Sequence, residues 1–157
     1  MRICCIIGHR KFEKTTELEL RIRKTVINLI EKEQVSEFLF GSKSEFTDFC
    51  YNIITDISNR YSNIKRIFIR AEHPIISNEY CNYLKTFYDD TYFYNKQLIS
   101  NKYNYIKRNQ YMIDKSDICI FYYDKKYNPK TKTQSGTSIA YKYATKKLKQ
   151  IINLHKD

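Results

Sequence analysis

A chain of 157 residues, 42% of them hydrophobic, is long enough to bury a core without disulfides or metal. It holds no run near the roughly 20 consecutive apolar residues that a membrane span requires. Arg2 is followed by a short apolar run and then charged sequence, which reads as no secretory signal, so the cytosol is the expected location. The formal net charge of +11 asks for an anionic partner.

Along the chain the hydrophobic period switches between strand-like runs and helical spacing. Ile3 to Ile7 is a short apolar run, the pattern of a buried parallel strand. Thr16-x-x-Glu19 offers a capping box, after which Leu18, Ile22, Leu29 and Ile30 share one helical face. Val35 to Phe40 predicts a second strand. A second box, Ser42-x-x-Glu45, opens the cleanest amphipathic helix, with Phe46, Phe49, Cys50, Ile53, Ile54, Ile57 and Tyr61. Ile64 to Ile69 reads as a strand, followed by a loop with Pro74 and a weaker helical pattern in Tyr80, Leu84, Phe87 and Tyr88.

Thr91 to Tyr94 predicts a short strand, and Tyr105, Asn109, Met112 and Ile113 a helix ending near Asp114. Asp117 to Tyr123 is a strong strand. Ile139, Ala140, Tyr143, Ala144 and Leu148 mark a helix, and Gln150 to Leu154 a last strand. No repeat, low-complexity tract or Pro/Gly linker interrupts the pattern, so a single domain over 1–157 is expected. Alternating strands and helices predict an α/β fold: a Rossmann-like, doubly wound, mostly parallel sheet with helices on both faces.

The chain has only three glycines, Gly8, Gly41 and Gly136, and all fall at strand-to-helix junctions. Glycine serves where φ is positive or where a Cβ would block an approach. Three at such junctions predict one ligand crevice at the carboxyl edge of a parallel sheet. The five cysteines lie in apolar stretches with no C-x-x-C pair, which reads as reduced core thiols and no metal site.

Four constellations border the predicted crevice. Gly8-His9-Arg10 follows the first strand, and Arg10 offers a planar fork for phosphate. Gly41-Ser42-Lys43-Ser44-Glu45 joins the second strand to a helix start, where N–H groups hold anions; it is no P-loop. Gln134-Ser135-Gly136-Thr137-Ser138, before the last long helix, has the small hydroxyl residues of a phosphate cradle. Arg108-Asn109-Gln110-Tyr111-Met112 puts Arg108 and Met112 on one helical face.

Together with Ile113-Asp114-Lys115-Ser116-Asp117, these motifs resemble the SLOG superfamily, and within it the YpsA-like branch. The similarity runs in order along almost the whole chain, and residues 108–117 are its most specific part. It implies a Rossmann-like domain that binds a nucleotide or a nucleotide-derived, ADP-ribose-like ligand. The related LOG phosphoribohydrolases pair an Arg-Lys-x-x-Met segment with a Gly-Gly-x-Gly-Thr-x-x-Glu loop. Arg108 and Met112 match the first and Gly136-Thr137 the second, but Asn109 replaces the lysine, Ser135 a glycine, and Ala140 stands at the glutamate position.

A glycosidic cleavage wants a carboxylate there. The expected role is therefore binding or sensing without turnover and without a cofactor. The expected ligand-binding residues are Gly8, His9, Arg10, Gly41, Ser42, Glu45, Arg108, Asn109, Ser135, Gly136 and Thr137. One alternative is a nucleoside-monophosphate N-glycosidase in which Arg108 is catalytic and Glu45, Asp48 or Glu72 supplies the carboxylate. The other is a protein that binds single-stranded nucleic acid. That alternative ranks lower because the cations are spread along the chain, with no dense cluster beyond Lys142 to Lys149. The expected partner is thus a small phosphorylated nucleoside; a homodimer through the tyrosine-rich stretch 80–111 is open, and no membrane partner is expected.

Overall fold

A computed structural model of the chain describes residues 1–41, 44–95, 101–126 and 135–156. Strands and helices alternate as β1 (Arg2–Gly8), α1 (Thr16–Glu31), β2 (Val35–Phe40), α2 (Glu45–Ser58), β3 (Lys65–Arg70), α3 (Asn78–Lys85), β4 (Asp90–Phe93), α4 (Asn101–Lys115), β5 (Ile118–Tyr122), α5 (Gly136–Lys146) and β6 (Gln150–Asn153). The sheet is parallel throughout, in the order β4-β3-β2-β1-β5-β6. This is a Rossmann-like α/β architecture whose winding direction reverses between β1 and β5. Open sheets of this kind leave a crevice at the carboxyl ends of the strands at such a point.

Two cores follow from strand alternation. Cys4, Ile6, Phe38, Phe40, Ile118 and Ile120 face α1 and α2, meeting Ile22, Val26, Phe46 and Ile54. Cys5, Ile7, Leu39, Ile67, Ile69, Cys119 and Phe121 face the other way, meeting Met112 and Ile113 of α4 and Ala140 and Ala144 of α5. The small alanines seat α5 close to the sheet. Cys4, Cys5, Cys50 and Cys119 are fully buried thiols. Burial is the main cause that raises the pKa of Cys4, Cys5 and Cys50, which keeps them protonated core residues.

Two helix starts differ from the sequence expectation. The cap of α1 is Thr15, whose hydroxyl accepts from the Leu18 N–H at 3.1 Å, so the box at Thr16 lies one residue late. The cap of α2 is Ser44, not Ser42: its Oγ accepts from the Thr47 N–H at 3.1 Å and donates to the Thr47 hydroxyl at 2.8 Å. Capping at Ser44 puts Glu45 and Asp48 into the first turn, where carboxylates favour the helix dipole.

The glycines also serve another purpose than turn geometry. None of them has a positive φ; the left-handed positions are Gln34, His73 and Leu148, at φ 58, 60 and 57°. At Gly8 and Gly41 the missing Cβ answers to space.

Candidate functional site

The carboxyl edge carries the ends of β1, β2, β3 and β5 and the starts of α2 and α5. At the end of β2, α4 crosses so closely that a Cβ on Gly41 would stand 2.5 Å from Arg108 Cδ, 2.6 Å from its Nε and 2.7 Å from Met112 Sδ. A side chain at position 41 would evict Arg108. The contact is polar as well: an Arg108 terminal nitrogen donates to the Gly41 carbonyl at 2.5 Å, and Nε donates to Asn109 Oδ1 at 3.0 Å. Gly41 and Arg108, 67 positions apart in the sequence, thus form one unit with Asn109.

Arg108 is 3% exposed, and among the described residues no carboxylate lies in ion-pair range of it. Burial lowers its pKa to about 10, with the Tyr105 and Glu72 charges acting in the opposite direction. The group remains a cation at neutral pH. Its guanidinium lies 5.6 Å from the Tyr105 ring centre, and the Tyr105 hydroxyl donates to Glu72 on the loop after β3. The Tyr105 pKa is raised, first by that hydrogen bond, and is held down by the charges of Arg108 and Arg10. Arg10 therefore faces the same corner from the β1 side. Tyr105 lies one turn before Arg108, and that i, i+3 spacing is the signal by which the sequence could have included it.

At the end of β1, Gly8 admits Phe46 of α2: a Cβ would meet its ring at 2.2 Å. The Glu45 N–H donates to the Arg10 carbonyl at 3.0 Å, joining the β1 loop to the α2 start, while the Glu45 side chain points to solvent. His9 turns toward β5. It is 4% exposed, and its Nε2 accepts the Asp124 N–H at 2.9 Å. Tyr122 and Tyr123 pack around the imidazole at 6.4 and 6.0 Å. Burial lowers the His9 pKa, opposed by Asp124, so the neutral acceptor form is favoured.

The third part of the edge is the start of α5. Ser135 caps it, its Oγ accepting from the Ser138 N–H at 3.0 Å. Gly136 is exposed, and among the described residues nothing lies within 4 Å of where its Cβ would be. Thr137 is buried against the sheet, and Ser138 Oγ lies 3.4 Å from the Tyr123 hydroxyl. Among the described residues, nothing accepts from the Gly136 and Thr137 N–H groups.

The structure thus brings Gly41, Arg108 and Asn109 together, ties Arg10 to Glu45, and sets His9 with Asp124. Ser135, Gly136 and Thr137 stand at the β5 side. Ser42, Lys43 and Gln134 lie outside the described residues. Ala140 is buried in the core on the α4/α5 side, where its methyl group packs against the sheet. Of the three carboxylates considered as replacements, Glu72 is the one whose charge reaches Arg108. Among the described residues no group of three or more His, Cys, Asp or Glu could hold a metal ion. No helix among them is long and apolar enough to cross a membrane.

With this geometry in view, neither a family model nor a curated protein matches the chain. A solved structure does. The fold is similar to that of DNA processing protein A from Helicobacter pylori, a protein described by its single-stranded DNA binding mode. The TM-score is 0.60 at 17% sequence identity, over 96% of this chain and 63% of that one. This chain therefore spans less than two thirds of the length of that neighbour, and at this identity the likeness speaks for the fold.

Proposed function

We propose that the chain binds a phosphorylated nucleoside at the carboxyl edge of its sheet, with the phosphate between Arg108 and the start of α5, and does so without turnover. The observation that carries this reading is Arg108. A cation 3% exposed, with no carboxylate in ion-pair range among the described residues, is costly unless an anion completes it. Arg10 adds charge at the rim, and the Gly136 and Thr137 N–H groups offer the anion-binding end of a helix. The SLOG-like motifs point to the nucleotide-derived, ADP-ribose-like class of ligand. Ala140 argues against LOG-type hydrolysis.

The test is thermal denaturation with nucleotides and ADP-ribose derivatives at millimolar concentration. A ligand at ten times its Kd raises the midpoint by about 3–6 °C for a domain of this size. Arg108→Met should fold and lose that shift. An unmoved midpoint across the whole set would end the proposal. Release of free base from a nucleoside monophosphate, abolished by Glu72→Gln, would convert the binder into the N-glycosidase.

A second reading has one observation of its own. The fold neighbour is a single-stranded DNA-binding protein, and a nucleotide phosphate is the same chemical group whether free or in a strand. Under this reading the crevice takes a nucleotide of a single strand, and Arg108→Met weakens oligonucleotide binding.

A further inference from the structure

The cations that look scattered in the sequence gather in space. Residues 1–100 contain 15 Lys and Arg against 13 Asp and Glu, whereas residues 101–157 contain 13 against 4. The second stretch builds α4 and α5, which pack side by side on one face of the sheet. Lys107 and Lys115 of α4, Lys142 and Lys146 of α5 and the following Lys147 are all exposed. Among the described residues, none has a carboxylate within 4 Å. Asp114 is the one acidic residue in the two helices, and both its oxygens accept from the Tyr143 hydroxyl, at 2.8 and 2.9 Å.

The opposite face is built differently. Helices α1 and α2 carry Glu17, Glu19, Glu31, Glu45, Asp48 and Asp56 against Arg21, Arg23 and Lys24. Arg23 pairs with Glu19 at 3.4 Å and with Asp56 at 2.6 Å. The sheet thus separates a paired, acidic face from an unpaired, basic one.

On the basic face, Lys142 and Lys146 lie one turn apart, opposite the buried Ala140 and Ala144. Lys107 lies one turn from Tyr103, which is 54% exposed. Unpaired lysines at helical spacing suit a phosphodiester backbone, and an exposed tyrosine among them offers a base a stacking surface. A lipid surface would want an aliphatic or aromatic wedge along this face. The exposed large hydrophobics of α4 and α5 are tyrosines, with Leu148 the single aliphatic beyond the end of α5.

We infer that the outer face of α4 and α5 docks a single-stranded nucleic acid, at a surface separate from the crevice. The test is fluorescence anisotropy of a labelled 30-nucleotide oligothymidylate between 50 and 200 mM salt. The wild type should bind with a steep salt dependence. Lys107→Glu/Lys142→Glu/Lys146→Glu should weaken binding at least about tenfold at 50 mM and flatten the log–log salt slope by about 2, three single-strand contacts at about 0.7 each. The milder Lys→Gln triple should act in the same direction, and Tyr103→Ala should weaken binding several-fold with the slope kept.

Arg21→Glu/Lys24→Glu/Lys32→Glu makes the same change in net charge on the other side and should bind nearly as the wild type does. The lysine triple should keep the nucleotide-induced rise in melting temperature, which separates this surface from the ligand site. No binding by the wild type, or an equal loss from the α1-side variant, overturns the inference. So does a loss confined to Arg108→Met, which moves the strand to the crevice. Lysine-dependent binding to phosphatidylserine vesicles with none to the oligonucleotide would overturn it in favour of a lipid surface.

Discussion

At the ends of β1 and β2 the glycine hydrogen is pressed against another side chain, whereas at the start of α5 no described atom lies within 4 Å of where a Cβ would stand. Gly8 makes room for Phe46 and Gly41 for Arg108 and Met112, and Phe46 and Met112 are completely buried. Gly136 makes room for nothing among the described residues. The same residue type at equivalent points of the fold therefore does two jobs. Over β1 and β2 the missing Cβ is filled by the protein and fixes how α2 and α4 cross the sheet. At α5 it leaves a backbone accessible from outside. An exposed helix start with no described atom above it is where a ligand can come close.

That contrast breaks most visibly at position 8. Gly8→Ala sets a methyl 2.2 Å from the Phe46 ring and 2.9 Å from its Cβ, and the Cβ belongs to the first turn of α2 and cannot swing away. Overpacking of this kind should cost about 3 kcal/mol. Urea denaturation should show a lower midpoint at an unchanged m-value. Gly41→Ala meets the ends of two long side chains instead, so about 2 kcal/mol is expected. Because the clash is with Arg108, the double variant Gly41→Ala/Arg108→Ala should cost less than the two single changes summed. Strict additivity would mean that the contact is not what Gly41 serves.

The sequence showed some of this contrast and hid the rest, for physical reasons. Every strand and helix was legible, because buried parallel strands and amphipathic helices imprint periods of different length. Helix starts were less so: Thr15 and Thr16 are the same residue type, and Ser42 and Ser44 both precede Glu45, so only backbone geometry separates cap from neighbour. The glycines stood out by rarity, but whether a missing Cβ is filled by Phe46, by Arg108 or by nothing is a tertiary fact. Arg108 was visible through its motif. Its burial, and the Tyr105–Glu72 bond beside it, depend on α4 crossing the end of β2, a contact 67 residues apart in sequence. The basic face was hidden for a related reason, since side-by-side helices add charges that the chain spaces far apart.

Between the filled and the open regions lies His9, which sharpens the comparison through pH. Burial holds its pKa below the usual histidine value, and its Nε2 accepts the Asp124 N–H. Below the ordinary histidine pKa the unfolded chain takes up a proton that the folded one resists. Stability is therefore fully present above that value and falls as pH drops from about 6.5 toward the lower folded pKa. The slope cannot exceed about 1.4 kcal/mol per pH unit for one proton. His9→Asn should remove this histidine-range slope in denaturation midpoints measured from pH 7.5 to 5.5. An unchanged slope would assign the proton to another group.

The smallest effect is expected where the space is open. Gly136 is the first residue of α5 with a φ that any residue adopts, and an added Cβ meets no described atom within 4 Å. Gly136→Ala should therefore raise stability by about 0.5 kcal/mol, from the lower entropy of the unfolded chain and the better helix propensity of alanine. That is opposite in sign to the same substitution at positions 8 and 41. If a phosphate sits against this backbone, the same methyl should shrink the ligand-induced rise in melting temperature while the ligand-free protein melts higher. Stabilisation with an undiminished ligand response would mean that no ligand approaches Gly136, leaving Arg108 and Arg10 to hold the phosphate. A fall in ligand-free stability would mean that the space above α5 is filled, and that all three glycines make room for the protein itself.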